Sequence, residues 1–403
     1  MIMWKPIITN QESKKKIVAK IVEMVNCIEN QALDFSEIGL LSGSTGYALF
    51  LFYYSKLSKN KKYNKIAYNV LVDVVNKINQ EKYNFPTFCE GLSGIVWCFE
   101  FLLNNKFLKD NPNEIFVDIY DYLSDEMTRY TESNNFDYLH GSIGISFLLM
   151  KEKKYHEIIA NNLNHIVKEG ERSFETIKWK TTIYNGGNEG YNFSLAHGSA
   201  SILYFFLMTF KNNIKRDFSK KIAYEIINSY LNYLFDLRHR SSIFPSVVLT
   251  SGQTFDSRLA WCYGDTGVCS ILLLAADILK DEKLKSIAIE TLIKTTKRKT
   301  EFETEVVDAG FCHGSVGLAH IYSRAYNLTG LNVFREAAEY WVFKTLDFSV
   351  YKDGFAGYKT YHGDEGWVSK MSLLEGISGI GLTLISQVSQ IEPSWDKCFL
   401  LST

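Results

Sequence analysis

Proline is scarce, with five in 403 residues, against the roughly 5% usual in proteins. Proline breaks helix interiors, so a chain with so little of it leans all-α. A surplus of charge is also missing: 44 Lys plus Arg stand against 45 Asp plus Glu, for a net charge of −1. A domain held to nucleic acid by bulk electrostatics carries a clear basic excess, so no nucleic-acid partner is expected. No apolar run approaches the ~18 residues of a membrane span. The best, Ile202 to Phe210, is about half of that, which excludes direct membrane insertion. Met1 to Asn10 lacks the apolar core of a signal peptide, and Lys14 to Lys16 follow closely. The expectation is a cytoplasmic protein. Seven cysteines are an odd count for a chain without an export signal. They read as reduced thiols, and a purposeful one is a ligand or nucleophile rather than half of a disulfide.

What the sequence does contain is a repeat. A short glycine signature recurs as Ser42-Gly-Ser-Thr-Gly46, Glu90-Gly-Leu-Ser-Gly94, His140-Gly-Ser-Ile-Gly144, His197-Gly-Ser-Ala-Ser201, Tyr263-Gly-Asp-Thr-Gly267, His313-Gly-Ser-Val-Gly317 and Glu375-Gly-Ile-Ser-Gly379. The first glycines are Gly43, Gly91, Gly141, Gly198, Gly264, Gly314 and Gly376, about 55 residues apart on average. Seven copies at that spacing are a supersecondary repeat. Amphipathic stretches precede the signatures, as with Ile17, Ile21, Val25 and Ile28, or Ile66, Val70, Val74 and Ile78. Almost wholly apolar stretches follow them: Tyr47 to Tyr54, Ile95 to Leu103, Ile145 to Met150, Ile202 to Phe210 and Val268 to Leu279. A helix apolar on every side is buried, and an amphipathic one covers it. The pattern therefore predicts an all-α fold, an α/α toroid in which seven hairpins of an outer and an inner helix form a double ring. Glycine suits the turn because the backbone there packs closely or takes positive φ. No linker or charge block divides the chain, so residues 1–403 read as one domain. Two stretches rich in glycine and aromatics, Lys178 to Phe193 and Tyr351 to Trp367, read as loops or short hairpins. Their Trp179, Tyr184, Tyr351, Tyr358 and Trp367 are candidates for a peptide-binding surface.

The chemistry collects in the two positions before each first glycine: Leu41-Ser42, Cys89-Glu90, Leu139-His140, Ala196-His197, Cys262-Tyr263, Cys312-His313 and Leu374-Glu375. In a closed toroid this slot lies at one end of the ring, where residues distant in sequence converge. Two thiols and an imidazole, Cys262, Cys312 and His313, then make a tetrahedral zinc site with one position open, the catalytic rather than the structural pattern. Cys27, Cys98, Cys269 and Cys398 lie in helical or terminal segments and read as small core residues. Cys89 has Glu90 beside it in place of histidine and is left out.

Trp261-Cys-Tyr-Gly264, Cys312-His-Gly314 and Leu195-Ala-His-Gly198, set on a sevenfold glycine repeat, resemble the lanthionine synthetase C-like family. The resemblance runs from about Ser42 to Gly379, and the chain length is similar to that of the stand-alone lantibiotic cyclases of the nisin type. It implies an α/α toroid, one Zn²⁺ per chain, and addition of cysteine thiolates to dehydroalanine or dehydrobutyrine in a ribosomally made peptide, forming thioether rings. Carried over by position, it implies Cys262, Cys312 and His313 as zinc ligands, His197 as catalytic histidine, and Asp137, Arg258 and Tyr263 as further site residues. The implied partners are a dehydrated lanthipeptide precursor with its leader segment, and a dehydratase and exporter through which alone the protein would meet a membrane. Ser201, where the fourth repeat has lost its second glycine, is the one departure. His140 reads as a turn residue without a catalytic role.

Three other readings compete. One is zinc-assisted addition or lyase chemistry on a small thiol such as glutathione. Another is an α/α-barrel glycosidase using Asp265, Glu90 and Glu375, which leaves the cysteines unexplained. The third is a zinc-stabilised toroid that binds peptides without catalysis.

Overall fold

The protein is described by a computed structural model covering residues 3–30, 36–109, 113–182, 188–235 and 240–403. By their contacts these fall into two compact units, Met1–Val117 with Val306–Asp396, and Asp118–Glu305 with Lys397–Thr403.

The first unit carries α1 (Gln11–Asn30), α2 (Ser44–Ser58), α3 (Lys62–Glu81) and α4 (Leu92–Asn104). The second carries most of α5 (Asn113–Glu132), then α6 (Ser142–Leu149), α7 (His156–Lys168), α8 (Ser199–Lys211), α9 (Arg216–Asn232), α10 (Asp265–Leu279), α11 (Glu282–Thr295) and α12 (Glu301–Thr304). The chain then returns to the first unit for α13 (Ser315–Thr329), α14 (Asn332–Asp347) and α15 (Ile377–Val388). The two helix types read from the sequence are both present. In α1 only the stripe Ile17, Ile21, Met24, Val25 and Ile28 is buried, and Asn10 caps its start by accepting from Glu12 N and Ser13 N, each at 3.0 Å. In α2 every residue from Ser44 to Ser55 is buried, and in α8 every one from Ser199 to Phe210. Fully burying each leucine, isoleucine or phenylalanine of this kind contributes about 1.5–3 kcal/mol.

The most extensive packing joins a buried helix to the amphipathic helix after it: α2 to α3, α8 to α9, α10 to α11 and α13 to α14. The sequence pattern had paired each amphipathic helix with the buried helix that follows. The reason is loop length. Only Lys59 to Lys61 separate α2 from α3, with Lys59 in the left-handed region, which forces the chain straight back. The glycine signature instead sits in a longer segment that folds over the start of the next buried helix.

Both insertions contain short strands, as their turn-rich composition predicts. In the second unit β1 (Glu171–Ser173) pairs with β2 (Thr176–Lys178), and β3 (Lys180–Thr182), β4 (Glu189–Asn192), β5 (Pro245–Leu249) and β6 (Thr254–Asp256) form an antiparallel sheet in that order. In the first unit β7 (Thr360–Tyr361) and β8 (Trp367–Val368) form a hairpin. Among the described residues no helix is long and apolar enough to cross a membrane.

The signature glycines are explained by close approach. Each first glycine is the N-cap of a buried helix in extended backbone that any residue adopts, for example φ −103° at Gly91. The obstacle to a side chain is space. A Cβ on Gly91 would sit 2.3 Å from the Phe85 carbonyl oxygen, and one on Gly317 would sit 2.1 Å from that of Phe311. Gly317→Ala is therefore expected to lower stability by roughly 3 kcal/mol, the upper end for overpacking, read as a fall in the urea midpoint. A loss within 0.5 kcal/mol, the range of an ordinary surface change, would show that the approach is not enforced.

Candidate active site and metal-ligand groups

A buried apolar helix has no water to satisfy its first backbone N–H groups. Here the signature loop does so with its own carbonyls. Ser44 N donates to Glu37 O at 3.1 Å, Leu92 N to Phe85 O at 2.7 Å, Asp265 N to Arg258 O at 3.1 Å and Ser315 N to Asp308 O at 3.0 Å. The acceptor always lies six residues before the first glycine, so the loop curls over the helix start and holds the two slot residues there. Slots are also tied to one another. Cys312 N donates to Leu374 O, Leu374 N to Leu41 O and Leu41 N to Cys89 O, all at 2.9 Å, in the first unit. In the second, Leu195, the residue before the fourth slot, donates its N–H to Cys262 O at 2.9 Å.

In the second unit these loops surround a cavity of about 880 Å³ whose lining includes Asp137, His140, Trp179, His197 and Tyr263. His197 Nδ1 lies 2.6 Å from Asp137 Oδ2. The other carboxylate oxygen accepts from the His140 backbone N–H at 2.8 Å, which fixes its orientation. The imidazole of His197 lies parallel to that of His140, with centroids 5.8 Å apart, and tilted against Tyr263 at 5.6 Å. Burial disfavours the imidazolium of His197. The Asp137 hydrogen bond and charge, with a contribution from Cys262, outweigh burial and raise its pKa. Folding thus favours protonated His197. That contribution to stability is complete below about pH 6.5, the unperturbed value, and fades as pH rises through the raised one. Burial also raises the pKa of the Tyr263 hydroxyl, which accepts a hydrogen bond from Asn192 Nδ2 at 3.2 Å. Cys262 is 6% exposed and adjoins Tyr263 in the chain. Arg258 has Glu305 as its ion-pair partner, at 3.5 Å, and is one-third exposed.

In the first unit Cys312 and His313 are half-buried before α13. Its helix N-terminus favours negative charge on a nearby thiol. Behind His313 lies Asp308, 1% exposed. Burial alone would raise its pKa, but His313 and the N–H groups of Tyr361 and Gly310 hold it below the usual carboxylate range. No disulfide joins the seven cysteines. Cys98, Cys269 and Cys398 are fully buried core residues, while Cys27 is partly buried and accepts from Ala356 N at 3.2 Å.

Two groups of sequence candidates change meaning. Asp265 is no surface acid: it is 0% exposed, pairs with Arg298 Nη1 at 2.7 Å and accepts from Ile243 N and Phe244 N, each at 2.9 Å. Burial raises its pKa to about 7 even so. It fixes the loop before β5 and has no access to a substrate, which removes a carboxylate from the glycosidase reading. Of the insertion aromatics, Trp179 is buried with Nε1 on Ile166 O, though it lines the cavity. Tyr358 is buried too. Tyr351 is half-buried and packs on Trp367, which is exposed. Tyr184 lies outside the described residues.

Asn192 and Asp308 were missed from the sequence, and a signal for them was present. Asn135, Asn192 and Asp308 all stand six residues before a first glycine, and each side-chain oxygen accepts from the backbone N–H two residues on. An Asx turn at a fixed repeat position is legible once the repeat is aligned.

The family model for "Lanthionine synthetase C-like protein" matches residues 34–400. Nisin biosynthesis protein NisC of Lactococcus lactis subsp. lactis is 23% identical over 417 residues, covering 94% of this chain and 93% of that protein. The solved structure of nisin cyclase superposes with a TM-score of 0.77 at 19% identity, over 97% of this chain and 98% of the other. The fold is the one that nisin cyclase has.

Two substitutions separate the roles found in the second unit. Asp137→Asn is expected to move the His197 imidazole titration to lower pH, followed by NMR. An unmoved midpoint would mean that the carboxylate does not control it. Asp265→Ala leaves Arg298 buried and unpaired and is expected to cost about 3–5 kcal/mol in thermal unfolding.

Proposed function

We propose that this chain, which belongs to the lanthionine synthetase C-like family and is a lanthionine-forming cyclase, works with one zinc ion on Cys262, Cys312 and His313 and with His197 as its acid. The cyclase activity rests on the family match and on the nisin relatives. The substrate is a peptide, and the finer reading is a dehydrated lanthipeptide precursor with its leader. The proposal takes residues 1–403 as one catalytic domain, because one family model matches residues 34–400 without a break.

Cys262, Cys312 and His313 are a candidate metal-ligand group. Their chemistry fits zinc: two thiolates and an imidazole suit this borderline-soft ion, while Mg²⁺ and Ca²⁺ demand oxygen. When bound, zinc supplies acidity, making a substrate thiol with an ordinary pKa of about 8.5 a thiolate at neutral pH.

The observation that carries the reading is the Asp137–His197 pair in the cavity of about 880 Å³, whose wall includes Tyr263, the chain neighbour of Cys262. In the addition, sulfur bonds to the β-carbon of dehydroalanine or dehydrobutyrine, and the π pair moves onto the α-carbon and its carbonyl. His197, kept charged by Asp137, donates its proton to the α-carbon and closes the balance left when the thiol lost one. Arg258 stabilises the enolate oxygen, and Tyr263, held by Asn192, braces the wall beside His197. The protein is proposed to work in the cytoplasm, beside a dehydratase and an exporter.

The first test is elemental analysis of purified protein beside Cys312→Ala. One zinc per chain, lost in the variant, is expected, and metal-free wild type would end the thiolate mechanism. The second is His197→Ala, assayed by blocking of thiol alkylation in a dehydrated precursor and read by mass. Ring formation should fall about 10²–10⁴-fold with zinc and fold retained. Unchanged cyclisation would leave only a binding scaffold.

A further inference from the structure

We infer that Asp308 is a positioning residue for His313 and links the β7–β8 hairpin to that ligand. The inference rests on the zinc reading above. Asp308 is 1% exposed and makes four contacts with its two oxygens. Oδ1 accepts from Gly310 N at 2.9 Å, closing the Asx turn that leads into Cys312-His313. Oδ2 accepts from Thr360 Oγ1 at 2.9 Å and from Tyr361 N at 3.0 Å. The same oxygen lies 3.5 Å from His313 Nε2. The carboxylate is thus fixed from three sides before it meets the imidazole.

A carboxylate on one ring nitrogen of a metal-binding histidine sets its tautomer, orients the ring and raises the basicity of the ligating nitrogen. With Nε2 facing Asp308, Nδ1 is the nitrogen assigned to the metal. The homologous loop positions behave alike: Asn192 reaches Tyr263, and Asn135 Nδ2 donates to His140 O at 3.2 Å. In all three repeats this position first closes its own turn and then holds a slot residue. Of these three repeats the sixth alone has a carboxylate there, and its slot histidine is the proposed ligand.

The hairpin is the other half of the inference. Two of the three donors that orient the carboxylate are on β7, whose Tyr361 is 46% exposed and packs against the exposed Trp367 of β8. The hairpin therefore holds the carboxylate that holds the ligand.

The test measures zinc affinity by chelator competition, and the absorption spectrum of the Co²⁺-substituted protein, for wild type, Asp308→Asn and Thr360→Val. Asp308→Asn is expected to fold, to bind zinc about 10–100-fold more weakly and to shift the Co²⁺ bands. Thr360→Val, which removes one donor to Oδ2, should weaken binding by a smaller factor in the same direction. Wild-type affinity and spectrum in both variants would overturn the proposal. So would wild-type values in Thr360→Val if Asp308→Asn does not fold. A wild type that binds no zinc is a different result: it removes the metal reading itself, along with everything resting on it.

Discussion

A helix that is apolar on every side must find partners for its first N–H groups without water. In this protein they are the carbonyls of the loop that leads into the helix. That constraint organises the rest. It pulls the loop over the helix start, brings backbone against backbone, and leaves no room for a Cβ at the glycines. It also holds two residues of every repeat at the same end of a buried helix, so seven equivalent places exist for side chains that do chemistry. Most are filled by residues with no chemical role, such as Leu41, Leu139 and Leu374.

Two of these places use a carboxylate behind an imidazole, with opposite consequences. Asp137 and His197 face a cavity and are partly exposed, with side chains 18% and 30% accessible. The carboxylate raises the histidine pKa, which suits a proton donor. Asp308 is buried and held by fixed donors, which suits the positioning role proposed for it rather than proton exchange with a substrate. The same pair of residue types is proposed as an acid in one setting and as ligand support in the other, and the two settings differ in accessibility.

Accessibility also sorts the remaining charges. Asp265 pairs with Arg298, and Asp396 with the half-buried Arg324 and with His320, whose Nε2 lies 2.7 Å from Asp396 Oδ2. They fasten a loop and the C-terminal turn. Breaking such a pair leaves a charge stranded in low dielectric, so they bear on stability, not on reaction.

Periodicity and the glycine signature determined the all-α class, the seven repeats, the buried and covering helices, and the slot that holds Cys262, His197, Cys312 and His313. These are properties of local spacing, and local spacing is written in the chain. The resemblance carried Asp137, and the structure gave it a partner. Only the tertiary structure decided which helices pack as pairs, because loop length competes with pattern. It also decided that Trp179 and Tyr358 face inward, that Asp265 belongs to Arg298, and that Asp308 reaches across 52 residues to Thr360. Burial and long-range pairing depend on what the rest of the chain places opposite a residue, and no spacing rule in the sequence records that.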